Sequence, residues 1–267
     1  MNAIILSLVS MESLPGKPDQ NAQKMLSYME EAKKEHASLV VFPECSLTGY
    51  NPENAMSYSL AMDDDLILMV EEKASSLDLA VCFGFMERME NNTKPHITQE
   101  LYFRGDKLRY HKTHLGTKEE KYFLAGNIFP VMDIGVTVGI QLCWESHIPD
   151  ISTALRQKGA ELLLVPYASG MSGRRCEENW MVHLPARASD NGVFLAACNA
   201  LFLENTLSSH GGGLAVFDPK GKQIVSYYES DEHIITCQLS GMLPREYPQG
   251  DMHHISYFDR RKPDLYR

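Results

Sequence analysis

Three residues whose side chains can perform covalent chemistry, Glu44, Lys112 and Cys143, each follow a segment predicted to be a β-strand. In α/β folds, ligands bind and catalytic loops gather at the carboxyl ends of strands. A thiolate attacks a carbonyl carbon, a buried carboxylate takes and returns protons, and an ammonium group stabilises an oxyanion. Together the three side chains indicate nucleophilic catalysis without a histidine.

Cys143 stands where an apolar, β-branched stretch ends and a helix is predicted to begin, near residue 148. The positive end of a helix dipole lowers the pKa of a cysteine, so this position predicts a reactive thiolate. For a single cysteine the alternative is a small buried core residue. Glu44 and Lys112 have alternatives of their own, as a solvated loop residue and a surface lysine. Their shared position at strand ends favours the catalytic interpretation.

Composition excludes several classes of protein. The chain has 267 residues, 44% of them hydrophobic, and no low-complexity linker, so we expect one domain over residues 1–267. A net charge of −10 with no basic cluster argues against a nucleic-acid partner. No apolar run is long enough to span a membrane. Six scattered cysteines without a C-x-x-C pair indicate reduced thiols and a cytoplasmic location.

A metal site is also not expected. His111 and His114 are three residues apart on a predicted strand end, so their side chains would face opposite sides, and no carboxylate completes a ligand set. The expected chemistry requires neither a metal nor another cofactor.

The hydrophobic pattern predicts alternating strands and helices in both halves of the chain. A hairpin follows each half, which indicates two sheets covered by helices and not one doubly wound sheet. The predicted strands are 1–9, 38–42, 79–85, 97–104, 107–111, 128–132, 136–142, 161–165, 193–198, 211–217, 223–228 and 233–238, and the predicted helices are 18–36, 65–77, 148–158 and 176–191. The segment 257–266 reads as a polar, aromatic tail packed on the domain.

Three segments resemble the signatures of the nitrilase superfamily of carbon–nitrogen hydrolases: VFPECSLTGY at 41–50, YHKTHL at 110–115 and QLCWESHIPD at 141–150. Their order and spacing agree with that family, and weaker agreement extends over nearly the whole chain. The resemblance implies a four-layer α-β-β-α sandwich, and two copies that pair into a homodimer.

The resemblance also implies a Glu-Lys-Cys triad. Glu44 would be the general base and later the acid, Lys112 would stabilise the oxyanion, and Cys143 would be the nucleophile. The backbone N–H of Trp144 would be a second oxyanion donor. Glu119 matches a fourth polar residue that positions the substrate, although the adjacent Glu120 is an open alternative.

The implied reaction is hydrolysis of a small amide or carbamoyl compound through a thioester. Nitrile hydrolysis and a non-catalytic binding protein on the same fold are the alternatives. Tyr50, Trp144 and Tyr167 are candidates to line the substrate pocket, or else to pack in the core. Two arginines in a predicted loop, Arg174 and Arg175, either bind a substrate carboxylate or are solvated.

Overall fold

The computed structural model describes residues 4–202, 210–239 and 257–265. Its strands, in chain order, are β1 (Ile5–Ser10), β2 (Leu39–Val41), β3 (Leu60–Ala61), β4 (Ala80–Arg88), β5 (His96–Phe103), β6 (Asp106–His111), β7 (Val131–Asp133), β8 (Thr137–Ile140), β9 (Leu162–Tyr167), β10 (Phe194–Asn199), β11 (Leu201–Phe202), β12 (His210–Gly211), β13 (Leu214–Phe217), β14 (Gln223–Tyr227) and β15 (His233–Gln238). The α-helices are α1 (Pro18–Lys34), α2 (Ala55–Tyr58), α3 (Asp65–Leu77), α4 (Pro149–Gln157) and α5 (Gly173–Asn191). Short 3-10 helices include Glu119–Lys121 and Cys143–His147.

The described strands form two large sheets. The first has the order β15-β1-β2-β4-β5-β6, with β3 beside β4, and the second has the order β14-β13-β10-β9-β8-β7. Strands β1, β2 and β4 are parallel, as are β8, β9 and β10. The remaining strands pair antiparallel with their neighbours, except β3, which is parallel to β4. Each parallel core therefore presents its carboxyl ends along one edge, where the chain continues into loops.

Successive residues of a strand point to opposite sides, and in the central strands β1, β2, β9 and β10 nearly all residues on both sides are buried. Alternate residues of the two sheets meet in one apolar layer between them, which contains Leu6, Leu8, Leu39, Val41, Val138, Ile140, Leu162 and Leu164. The remaining faces pack against helices. Val40 and Val81 lie in a cluster with α1 and α3, and Leu163 and Leu195 in a cluster with α4 and α5. The result is the expected α-β-β-α sandwich.

Helix α1 follows the sequence pattern closely. Pro18 stands in its first turn, where a missing N–H costs nothing, and Ala22, Met25, Met29 and Ala32 are buried. No helix in the described part of the chain is both long and apolar enough to cross a membrane.

The apolar residues of 65–77 predict a buried face of Leu66, Met69, Val70, Ala74 and Leu77, and the buried face of α3 differs from it. Ile67, Val70, Glu71 and Ala74 are buried, whereas the expected Leu66, Met69 and Leu77 are only partly so. A carboxylate replaces an apolar residue on this face because Glu71 pairs with Lys107 of β6 at 2.6 Å. Hydrophobicity alone does not reveal such a pair.

Two other predicted segments, 128–132 and 257–266, differ in how well they agree with the structure. A strand over 128–132 is wrong, since pairing begins only at Val131 and Ile128 is 57% exposed. The tail prediction is confirmed within 257–265, where the Phe258 ring lies 5.1 Å from the Arg156 guanidinium on α4. Residue 266 of the tail, and residues 1–3 of the predicted first strand, lie outside the described residues.

Candidate active site

The loops after β2, β6 and β8 bring Glu44, Lys112 and Cys143 to one cavity of about 420 Å³. The cavity is lined by Glu44, Tyr50, Lys112, Gly116, Thr117, Lys118, Glu119, Cys143, Trp144, Ala168, Ser169 and Gly170. A carboxylate, an ammonium group and a thiol that are far apart in the chain thus share one concave surface, which is the usual form of a small-molecule site.

Lys112 lies between two carboxylates. Its Nζ donates hydrogen bonds of 2.9 Å to Glu44 Oε1 and of 2.9 Å to Glu119 Oε1, and the side chain is 1% exposed. Burial alone would lower the pKa of Lys112, but the charge of Glu44, followed by that of Glu119, raises it well above the ordinary value. The ammonium group is therefore fixed in place and stays charged.

Glu44 is buried, and both of its carboxylate oxygens have partners. Oε1 accepts from Lys112, and Oε2 accepts from the backbone N–H of Ala168, which follows β9 in the second sheet, at 3.0 Å. Burial raises the pKa of Glu44 to about 7, a shift opposed by Lys112 and reinforced by Glu119. A carboxyl group with this pKa exchanges protons readily near neutral pH.

Close backbone packing holds the turn that carries Glu44. A Cβ atom on Gly84 of β4 would lie 2.4 Å from the backbone nitrogen of Cys45 and 2.5 Å from Gln99 Oε1. Only glycine allows the strand to approach the turn so closely. The strand of the first sheet that neighbours β2 therefore sets the position of Glu44.

The structure distinguishes the two adjacent glutamates of the 119–121 turn. Glu119 is buried, accepts the hydroxyl of Tyr50 at 3.0 Å on Oε1, and accepts the N–H of Gly116 at 2.7 Å on Oε2. Glu120 is exposed. Glu119 is consequently the one that belongs to the cavity, and Tyr50 contacts it there as a lining residue.

Cys143 occupies a strained turn at the end of β8. Its φ of 41° lies in the left-handed region, which is uncommon for a residue with a side chain, and the residue is partly exposed although its thiol is buried. Strained conformations of this kind are concentrated at functional sites. The turn continues as a 3-10 helix, and α4 begins only at Pro149.

The expected lowering of the Cys143 pKa by a helix dipole is wrong. Burial, followed by the charges of Glu44 and Glu119, raises the pKa of the thiol to about 12, and Lys112 offsets only part of the effect. The dipole of α4 begins six residues away, beyond the range of a first-turn effect. Cys143 is accordingly a protonated thiol at neutral pH, and it needs a base before it can attack.

Glu145 connects the turn after Cys143 to the segment after Lys112. Its Oε1 accepts the backbone N–H groups of Thr113 and His114, at 2.8 and 3.0 Å, and the hydroxyl of Tyr110, at 2.6 Å. Its Oε2 accepts the N–H of Leu142 at 2.7 Å. The sequence offered one signal for this role, since a glutamate three residues after a predicted strand end is expected to have hydrogen-bond partners if it is buried.

Ser146 stabilises the turn that contains Cys143 through side-chain hydrogen bonds. Its hydroxyl donates to the carbonyl of Cys143 at 2.7 Å and lies 2.7 Å from the Tyr167 hydroxyl and 2.9 Å from Nε2 of His183. Burial, followed by the charge of His147, lowers the pKa of His183 to about 4, so the imidazole is neutral near pH 7. Neither Ser146 nor His183 was singled out from the sequence.

Tyr167 was predicted to line the cavity, but it is not among the lining residues. It is 1% exposed, it bonds Ser146, and its ring lies 4.8 Å from the ring of Trp180. The residue is the last of β9, with its side chain on the face that packs against α5, so it supports the turn and does not meet a ligand.

Trp144 lines the cavity, as predicted, and is 53% exposed. Arg174 and Arg175 lie outside the cavity lining. Helix α5 begins at Gly173, three residues earlier than predicted, which places both arginines in its first turn and exposes them. Arg174 pairs with Glu178 at 3.6 Å. Neither guanidinium group is positioned to bind a ligand in the cavity.

The sequence matches the carbon-nitrogen hydrolase family over residues 5–248, so the chain belongs to that family. It is 27% identical to a probable nitrilase from Schizosaccharomyces pombe, with 92% of this chain and 91% of the relative covered. It is 26% identical to deaminated glutathione amidase from Rattus norvegicus, with 98% and 83% covered.

Solved structures with the same fold include an amidase from Nesterenkonia sp. AN1. A mutant of that amidase in complex with butyramide superimposes with a TM-score of 0.82 at 22% identity, covering 99% of this chain and 96% of the other. Another mutant carries the acetamide moiety of fluoroacetamide on its active-site cysteine; it has a TM-score of 0.81 at 23% identity and covers 99% and 96% of the two chains. These structures confirm the mixed α/β architecture with two sheets.

Proposed function

We propose that this carbon–nitrogen hydrolase cleaves small amide or carbamoyl compounds by a cysteine thioester mechanism. One observation carries the proposal: Lys112 is held between Glu44 and Glu119 on the wall of the cavity that contains the Cys143 thiol. The arrangement combines a nucleophile, a base of suitable pKa and a fixed positive charge.

The first half-reaction forms the thioester. Cys143 Sγ bonds to the amide carbon while its proton passes to Glu44, and the carbonyl π electrons move onto oxygen. Lys112 and the backbone N–H of Trp144 stabilise the resulting oxyanion. When the oxyanion collapses, the C–N bond breaks, Glu44 returns the proton to nitrogen, and ammonia or an amine leaves.

The second half-reaction uses Glu44 again. A water molecule gives a proton to Glu44 and bonds to the thioester carbon. Collapse of the second tetrahedral intermediate breaks the C–S bond, and the leaving sulfur of Cys143 takes the proton back from Glu44. The products are the carboxylic acid and the restored thiol, so one water is consumed for each bond cleaved.

Ammonia release from a panel of short amides, carbamoyl compounds and nitriles tests the proposal. We expect the amide or carbamoyl substrates to be hydrolysed, with activity lost in Cys143→Ala and retained in Cys237→Ala, a change at a second partly exposed cysteine on β15. Equal rates for the wild type and Cys143→Ala would contradict the assignment. Acid and ammonia from nitriles, with amides as poor substrates, would indicate a nitrilase instead.

Pairing of two copies, a cytoplasmic location and a single domain over 1–267 stay predictions. Sedimentation or size-exclusion measurements on the purified chain would test the first of them directly.

A further inference from the structure

The backbone N–H of Ala168 contacts both the proposed base and the proposed nucleophile. It donates to Glu44 Oε2 at 3.0 Å. Burial has the largest effect on the pKa of the Cys143 thiol and raises it, whereas a hydrogen bond with the Ala168 backbone is among the contacts that lower it. One peptide group therefore faces both reacting side chains, and its position affects both of them.

Asn199 holds the segment that follows Ala168. This residue is the last of β10, it is fully buried, and it does not line the cavity. Its Oδ1 accepts the backbone N–H of Ser169 at 2.8 Å, and its Nδ2 donates to the Ser169 carbonyl at 3.0 Å. The side-chain amide thus pairs with both backbone polar groups of a residue that lies beyond the end of β9.

The other N–H of the Asn199 amide is used as well. Nδ2 also donates to the carbonyl of Gly212 at 3.0 Å, so the acceptor and both donors of the amide have backbone partners. Gly212 has a φ of +84°, and a Cβ atom there would lie 2.4 Å from the carbonyl oxygen of Glu229. Only glycine fits so close an approach. Asn199 therefore joins the cavity wall at Ser169 to a closely packed segment before β13.

We propose that Asn199 is a positioning residue for the hydrolysis: by pairing with Ser169, it keeps the N–H of Ala168 directed at the base and the nucleophile. This role rests on the proposed reaction at Cys143 and extends it to a side chain outside the cavity. A hydrogen bond to the ionised form of a carboxyl group lowers its pKa. The Ala168 N–H therefore helps Glu44 to stay ionised near neutral pH despite its burial.

Asn199→Leu provides the test, because leucine has a similar volume and no polar side-chain atom. Once the Ser169 contacts are lost and the Ala168 N–H is misplaced, we expect kcat to fall roughly 10–100-fold. The acidic limb of kcat/KM should move upward from about 7, because Glu44 loses a hydrogen-bond donor. The charged groups that act on Glu44 are unchanged in the variant; they are Lys112, Glu119 and Glu145.

Ser10→Ala is the matched control. It removes a buried hydrogen bond of 3.0 Å to the backbone carbonyl of Asn199 and leaves the bonds of the Asn199 side chain in place. It should keep the acidic limb at the wild-type pH, and urea denaturation measures the stability of each protein. Lower stability of Asn199→Leu with an unchanged limb would indicate a structural role alone and overturn the proposal, as would an unchanged kcat. Asn199→Ala, with less bulk, takes the place of Asn199→Leu if leucine prevents folding.

Carbon-13 NMR of the glutamate carboxyl groups separates this role from the proposed function. The Glu44 signal, assigned by its absence from Glu44→Gln, should titrate near pH 7 in the wild type and at a higher pH in Asn199→Leu. Equal titration in the two proteins would overturn the role of Asn199. If no amide, carbamoyl compound or nitrile is hydrolysed while the Glu44 titration still shifts, the proposed reaction fails and the positioning of the Ala168 N–H by Asn199 stands.

Discussion

Glu145 Oε1 lies 2.8 Å from the backbone nitrogen of Thr113, so the turn after Cys143 is bonded to the segment after Lys112. The two segments belong to different sheets. This contact ties the Cys143 turn to the Lys112 segment although the strands that precede them, β8 and β6, do not pair. Glu145 acts through its neighbours and is a positioning residue.

Replacing Glu145 by glutamine should therefore reduce both stability and activity. The glutamine amide nitrogen would face the N–H of Leu142 when its oxygen keeps the partners of Oε1. Two opposed donors and the loss of a charged acceptor should cost about 2 kcal/mol of unfolding free energy, measured by urea denaturation. We expect kcat to fall more than KM changes. Unchanged stability together with unchanged kcat would contradict the positioning role.

Glu44→Gln should separate thiol reactivity from turnover. The charge of Glu44 raises the pKa of Cys143, so its removal increases the thiolate fraction and speeds alkylation by iodoacetamide at pH 8.5. Turnover should fall by about 10²–10⁴ because the base is lost. Mass spectrometry identifies the modified cysteine. Lys112→Met should act oppositely on alkylation, and slower alkylation in Glu44→Gln would argue against this electrostatic account.

The dependence of kcat/KM on pH should show an acidic limb near 7. Glu44 must be deprotonated to accept the Cys143 proton, and burial raises its pKa to about 7. Activity should therefore rise as the pH increases through 7 and reach a plateau above it. Circular dichroism at each pH controls for unfolding. A limb near 4.5, the ordinary value for a glutamate, would contradict the raised pKa of Glu44.

The raised pKa of a second buried glutamate, Glu100, leads to a prediction of how the unfolding free energy depends on pH. Glu100 is fully buried, with Arg109 Nε 2.5 Å from its Oε2. Burial raises its pKa to about 7, opposed by Arg109 and reinforced by Glu71. Between pH 4.5 and 7 the folded state keeps a proton that the unfolded state loses, so this group's contribution to stability falls as the pH rises.

Glu100→Gln should remove that contribution. The unfolding free energy of the variant, from urea denaturation at pH 5 and pH 7, should decrease less over this interval than that of the wild type. Glu120→Gln changes an exposed glutamate and serves as the matched control. An identical pH dependence for the wild type and Glu100→Gln would refute the assignment.

The local pattern of the sequence was sufficient for most strands and helices, and for the three segments that carry Glu44, Lys112 and Cys143. Periodicity, turn residues and motifs are properties of neighbouring residues, so they can be read without a fold. The pattern failed where partners are distant. Glu71 replaces an apolar residue on α3 because of Lys107, and the irregular segment 128–130 does not pair with a strand in the described part of the chain.

Tertiary structure decided the electrostatics and the walls of the site. The adjacent Glu119 and Glu120 are equivalent in the sequence, but only Glu119 reaches Lys112. The Cys143 thiol has a raised pKa because burial and the charge of Glu44, contributed by a segment about a hundred residues away, outweigh a local helix dipole. Burial and charge depend on which segments pack together, and a linear pattern does not contain that information.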